Sequence, residues 1–126
     1  MTKTSSDWLP LAFVDLETTG AMPTRDRITE IGIVEVAEDG TVSEWSTLVN
    51  PETAIPGFIQ SMTGITDAMV TNVPTFAELA AEVVERLRGR LFIAHNARFD
   101  YGFLKNEFKR IGIDFRATTH ERRTLL

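Results

Sequence analysis

The chain has 126 residues, 43% of them hydrophobic and 25% charged, with a net charge of −5 and no cysteine. That length builds one domain around one core, and the composition is ordinary for a globular protein. Disulfides and thiolate metal centres are excluded, and no apolar run approaches the roughly 20 residues of a membrane span. "MTKTSSDWLP" lacks the apolar stretch of a signal peptide, so a cytoplasmic protein is expected. Gripping nucleic acid by bulk charge alone is disfavoured. The charge is unevenly placed: residues 1–63 carry three basic and ten acidic side chains, residues 64–126 ten basic and eight acidic. An acidic front half suits a site that gathers divalent cations, although ordinary surface charge explains the asymmetry equally well.

In chain order, "LAFVD" (11–15) reads as a short buried strand. "RITEIGIVEV" (27–36) alternates at period two and reads as a second strand. "EDG" marks a turn, and "TVSEWSTLVNP" (41–51) reads as a third strand ended by Asn50-Pro51. Short connections predict an antiparallel meander. "IPGFIQSMTGITDAMV" (55–70) mixes Pro and Gly with helical spacing and reads as one short helix and a loop. "VPTFAELAAEVVERLRG" has a capping box in Thr75 and Glu78, a stop in Gly89, and Phe76, Leu79, Ala80, Val83, Val84 and Leu87 on one face. "LFIAHN" (91–96) is an apolar run of strand length. A second long helix follows over about 97–111, with Tyr101, Leu104, Phe108 and Ile111 at core spacing. A last strand is expected near 115–119, and "ERRTLL" looks like the opening of a further helix. A meander followed by strand–helix alternation predicts a single α/β domain over 1–126 with a mixed sheet.

The chemistry starts in "FVDLETTG" (13–20), where a strand of buried character carries two carboxylates, Asp15 and Glu17. Residues two apart share a strand face at about 6.6–6.8 Å between Cα atoms. Burying such groups unpaired is costly enough to protonate them, so something must compensate their charge. The pair sits at the carboxyl end of its strand, where α/β sheets bind ligands. A D-x-E triplet alone is common by chance; the second signal is "AHNARFDYGFL" (94–104), where Asn96 and Asp100 fall on one helical face. Alone, Asp100 is adequately explained by the helix dipole. Together with Asp15 and Glu17 it outlines a site for hard cations, which take carboxylate oxygens, waters and substrate phosphate. A pair of such ions about 3.5–4 Å apart serves phosphodiester cleavage.

"FVDLETTG" with "RITEIGIVEV" resembles the first motif of the DEDD-type 3′–5′ exonucleases, and "HNARFDYGFLKNEF" resembles their second, over roughly residues 10–126. The motifs also resemble those of the proofreading epsilon subunit of bacterial DNA polymerase III and similar exonuclease domains. The resemblance implies a ribonuclease H-like fold, a mixed five-stranded sheet flanked by helices. It implies two divalent ions, Mg2+ or Mn2+, with Asp15 bridging both, Glu17 on one and Asp100 on the second. Thr18 and its neighbours would hold the terminal nucleotide, Asn96 and Phe99 would shape the pocket, and Ile65 would press on the last base. Apolar packing explains Phe99 and Ile65 equally well. Many members carry a histidine where this chain has Thr63, which puts a polar contact there in doubt. The implied substrate is a nucleic acid 3′ end, foremost single-stranded DNA, and the implied partner a polymerase or a fused downstream domain.

The family's third motif, a histidine with an aspartate five positions later, is not found beyond Asp100. His120 is followed at that spacing by Leu125 and reads as a surface or loop residue, and His95 reads as structural. Two readings stay open: a fragment of an active exonuclease, which the three matching acids favour, or a complete non-catalytic module that binds nucleic acid or docks on a polymerase. A ribonuclease H-like endonuclease is a third option that "HNARFD" does not favour. Little or no hydrolysis by this polypeptide is expected.

Overall fold

A computed structural model describes residues 9–116 and the backbone of residues 122–124. Its elements are β1 (Leu11–Thr18), β2 (Ile28–Val36), β3 (Val42–Leu48), α1 (Gly57–Thr63), α2 (Asp67–Val70), α3 (Phe76–Leu87), β4 (Leu91–Ala94), α4 (Ala97–Arg110) and β5 (Arg122–Thr124). The five strands form one mixed sheet in the order β3-β2-β1-β4-β5. The meander β1-β2-β3 is antiparallel, in register Asp15↔Gly32 and Gly32↔Ser46, whereas β4 runs parallel to β1 and β5 parallel to β4. Parallel neighbours need a crossover, and α4 supplies the one between β4 and β5.

Alternation decides which face is covered. Ala12, Val14 and Leu16 of β1, Ile31 and Ile33 of β2 and Phe92 of β4 join Val83 and Leu87 of α3 and Leu104 and Phe108 of α4 in the main core. Aromatic rings pack edge-on or stacked within it, Phe76 on Phe108 at 4.9 Å and Phe108 on Phe115 at 4.7 Å between centroids. The opposite face carries Phe13, Val34 and Ile93 along an open trough of about 620 Å3 that ends at Asp15 and His95. A smaller cluster of Ile55, Ile59, Ile65 and Val70 holds α1 and α2.

α3 starts at its capping box, Thr75 accepting from the Glu78 N–H while Glu78 accepts from the Thr75 N–H, as the sequence predicts. β1 runs beyond the 11–15 core to Thr18, where Ile28 pairs with Thr18 across a bulge, so Asp15 and Glu17 lie at its carboxyl end as the sequence reading placed them. Elsewhere the structure corrects the reading. The segment 55–70 holds two short helices rather than one, since Gly64 adopts φ 78° and closes α1 before Thr66 caps α2. Ile111 lies just beyond α4 and is 37% exposed, because the chain reverses at Gly112. Residues 115–116 are not strand, and 117–119 and His120 lie outside the described residues. Within "ERRTLL", residues 122–124 form β5 instead of opening a helix, and so satisfy the free backbone edge of β4.

One buried ion pair fastens the two halves of the domain. Glu107 of α4, 1% exposed, accepts from Arg27 Nε at 3.1 and 3.2 Å and from the Ile28 N–H at 2.9 Å. It thereby ties the entry of β2 to α4. Asp26 fixes the preceding loop by accepting from the Met22 N–H at 2.9 Å, and its carboxylate fills the space where a side chain on Gly20 would stand.

Candidate active site

Parallel pairing of β1 with β4 brings both carboxyl ends to one edge of the sheet. β1 delivers Asp15 and Glu17 there, and β4 passes through His95 and Asn96 into α4, whose first turn carries Asp100. Asp100 lies beside Leu16, between the two β1 carboxylates: hydrogen bonding to the Leu16 backbone acts on its carboxyl, as do the charges of Asp15 and Glu17. Acids 85 positions apart in sequence thus lie close enough for Asp15 and Glu17 to act electrostatically on the Asp100 carboxyl.

Their environments differ, and one premise drawn from the sequence needs correcting. Asp15 is exposed and Glu17 half-buried, because they project from the open face of β1 while Val14 and Leu16 enter the core. Asp100 is the buried member, 6% exposed. Burial, reinforced by Asp15 and then Glu17, pushes its carboxyl up to about 7, while hydrogen bonds with the Leu16 and Asn96 backbone oppose the rise. Glu17 is also raised, by burial first, then by Asp15 and by Glu30, which stands opposite it across the β1–β2 ladder. Among the described residues no Lys or Arg pairs with Asp15, Glu17 or Asp100.

Uncompensated, mutually repelling carboxylates at a strand end are the donor set of a hard cation. No three described His, Asp or Glu side chains form a ready cage.

A groove of about 430 Å3 adjoins the carboxylates, lined by Glu17, Thr18, Gly20, Phe58, Met62 and Phe99 among others. Thr18 donates its hydroxyl to the Gly20 carbonyl at 2.6 Å, fixing the groove floor. Phe99 is half-buried against Phe103 at 4.8 Å. Asn96 occupies the N-cap position of α4 without making a side-chain cap; it is exposed but does not line the groove. Ile65, expected beside the last base, is instead 5% exposed within the small cluster and does not line the groove. The reason is the left-handed Gly64, which turns the chain so that Ile65 enters the core behind α1.

Phe58 and Met62, each 72% exposed, occupy the groove wall, and sequence reading missed both. Their spacing of four on a helix, with Ile59 buried, is the signal that could have found them. His95, read as structural, is exposed at the end of the trough with Asp15.

The family model described as "Exonuclease" (RNase_T) matches residues 12–124. The chain belongs to the RNase T exonuclease family. It is 40% identical over 105 residues to the 3′–5′ exonuclease DinG of Staphylococcus haemolyticus, covering 83% of this chain and 12% of that protein. It is 38% identical over 99 residues to the PolC-type DNA polymerase III of Caldanaerobacter subterraneus, covering 79% of this chain and 7% of the polymerase. The chain therefore spans about an eighth of the length of the first and less of the second. E. coli exonuclease I in complex with a dT13 oligonucleotide superposes with a TM-score of 0.77 at 20% identity, over 91% of this chain and 27% of that one. The fold is ribonuclease H-like, as the sequence motifs imply. Members of this family use divalent metals, and the three carboxylates here have the chemistry to hold them.

Proposed function

We propose that this chain forms the metal- and substrate-binding part of a 3′–5′ exonuclease site that hydrolyses phosphodiester bonds at single-stranded DNA ends in proofreading or repair. A cytoplasmic location suits that role. The observation that supports the reading is the mutual electrostatic influence of Asp15, Glu17 and Asp100, with no cation paired to them among the described residues. Two divalent ions, Mg2+ or Mn2+, are the fitting counter-charge, held by Asp15 and Glu17 from β1 and by Asp100 from α4. When bound, such ions polarise the phosphate and lower the pKa of a water.

The chain's own residues supply position and selectivity. The groove wall of Phe58 and Met62 offers apolar surface to an unstacked base, as single-strand binders do with aromatic platforms. Thr18 and Gly20 let the backbone approach the terminal sugar, and the Asn96 amide faces the phosphate. Asp100, whose carboxyl burial raises to about 7, would have to release its proton to hold a cation. The sequence beyond Asp100 contains no His-x-x-x-x-Asp pair, so a general base from a third motif is not supplied by these 126 residues.

Calorimetric titration with Mn2+ tests the site. The parent chain should bind the ion, and Asp15→Asn should weaken binding at least tenfold with its thermal transition intact. A parent chain indifferent to Mn2+ and Mg2+ would refute the metal site. Digestion of an end-labelled single strand in Mn2+ should show little hydrolysis, and robust release of mononucleotides would overturn that expectation.

A further inference from the structure

The outward side of α4 differs from the rest of this acidic molecule. Ala97, Asp100, Tyr101, Phe103, Leu104, Glu107 and Phe108 are buried, so both of the helix's acids are withdrawn from its surface. At 100° per residue, Arg98, Lys105 and Lys109 lie within about 20° of one line along the helix. All three are exposed, and among the described residues none has a hydrogen bond or an ion pair. Neighbouring charges are already committed: Arg110 bonds the Pro23 and Asp26 carbonyls and approaches Glu107, and Asp114 pairs with Arg116 at 3.4 Å.

Arg98 stands against its local preference. It occupies the first turn of α4, where the helix dipole favours anions, and no acid is paired with it. A rule broken locally without a visible compensation marks a group whose partner lies outside the chain.

We propose that Arg98, Lys105 and Lys109 form a track for the phosphates of the nucleic acid strand whose end enters the carboxylate site. The proposal rests on the exonuclease reading above and extends it from the terminal nucleotide to the strand behind it. The stripe begins at the turn that carries Asp100 and runs about 16 Å along the helix, at 1.5 Å per residue. That length spans about five phosphates of a stacked strand at 3.4 Å each. Contacts of this kind carry no sequence information, as suits an enzyme that must accept any terminus. They also explain how a chain of net charge −5 holds a polyanion: the positive charge is local.

The test compares two double variants of equal net charge. Lys105→Gln/Lys109→Gln removes two stripe cations, and Arg88→Gln/Arg116→Gln removes two exposed cations elsewhere. Fluorescence anisotropy with a labelled 20-nucleotide oligo(dT) in Mn2+, between 50 and 200 mM salt, reads affinity and its salt slope. The stripe variant should bind about tenfold more weakly at the lowest salt. Its slope in a log–log plot should be shallower by about 1.4, since each single-strand phosphate contact contributes about 0.7. Arg98→Gln should behave as a third of the same series. Equal binding by the two double variants would overturn the track and leave the carboxylate site standing. Failure of the parent chain to bind any oligonucleotide would overturn both readings together.

Discussion

Asp100 shows how one side chain can be unfavourable to the fold and useful to the site. Its carboxyl is raised from 3.8 to about 7 by burial and by Asp15. The unfolded chain therefore releases this proton near pH 4, while the native chain keeps it until about pH 7. Below pH 4 both states hold the proton and the group is neutral to stability; between the two values the unfolded state binds fewer protons, so stability declines as pH rises, and levels off above 7. Without metal, the thermal midpoint should fall between pH 5 and pH 8, and Asp100→Asn should remove much of that decline. Added Mn2+ should raise the midpoint more at pH 8 than at pH 5, because binding displaces the proton. A metal-free midpoint that falls as steeply in Asp100→Asn as in the parent, or does not fall in the parent, would contradict the assignment. Glu107 is the opposite kind of acid. Buried and bonded to Arg27 and the Ile28 N–H, it should lower stability by about 2–4 kcal/mol when changed to Ala, since a buried N–H loses its acceptor and Arg27 keeps only its longer contact with Glu52. Urea denaturation reads that loss directly.

Elements were legible from sequence where one local rule sufficed. α3 declares itself by its capping box and its apolar face, and β2 by strict alternation. The segment 55–70 was less legible because its apolar residues serve two purposes. Ile55, Ile59, Ile65 and Val70 make a small core, whereas Phe58 and Met62 on the same short helix remain exposed beside Glu17. Composition alone cannot separate these sets; the helical phase of α1 and the turn at Gly64 do. β5 was misread because its place depends on a distant edge, that of β4, rather than on its own residues. The strand placement of Asp15 and Glu17 and the first-turn placement of Asp100 were legible, since strand spacing and helix start are local facts, but their unequal burial follows from which sheet face the helices cover. The two sets of 55–70 can be told apart by mutation. Ile65→Ala should cost about 2–4 kcal/mol, as truncation in a packed cluster does. Met62→Ala should change stability by less than about 0.5 kcal/mol, as at other exposed positions, yet weaken oligonucleotide binding several-fold. The reverse pattern would return Ile65 to the substrate groove.

Across the whole molecule, charge is sorted by the fold rather than merely unbalanced. Glu17, Glu30 and Asp15 crowd the open end of β1 and β2, Asp100 lies beneath them, and the unpaired cations of α4 line its outer side. Exposed charges act over about 8–10 Å at moderate salt, so the two regions are felt separately by a strand that touches both. On the proposed exonuclease reading, the metal-free carboxylates would repel the terminal phosphate while α4 would attract the phosphates behind it, and with metal the same carboxylates would become the means of attraction. Neutralising them should therefore have opposite effects in the two conditions. Asp15→Asn/Glu17→Gln should tighten oligo(dT) binding in EDTA, by relief of repulsion, and weaken it in Mn2+, by loss of the ions. Anisotropy titrations of parent and variant in both buffers would show the two curves exchanging order. A simple structural disturbance lowers affinity in both buffers, and a surface charge remote from the strand changes neither. Only carboxylates that face the phosphate and hold the ion invert the sign.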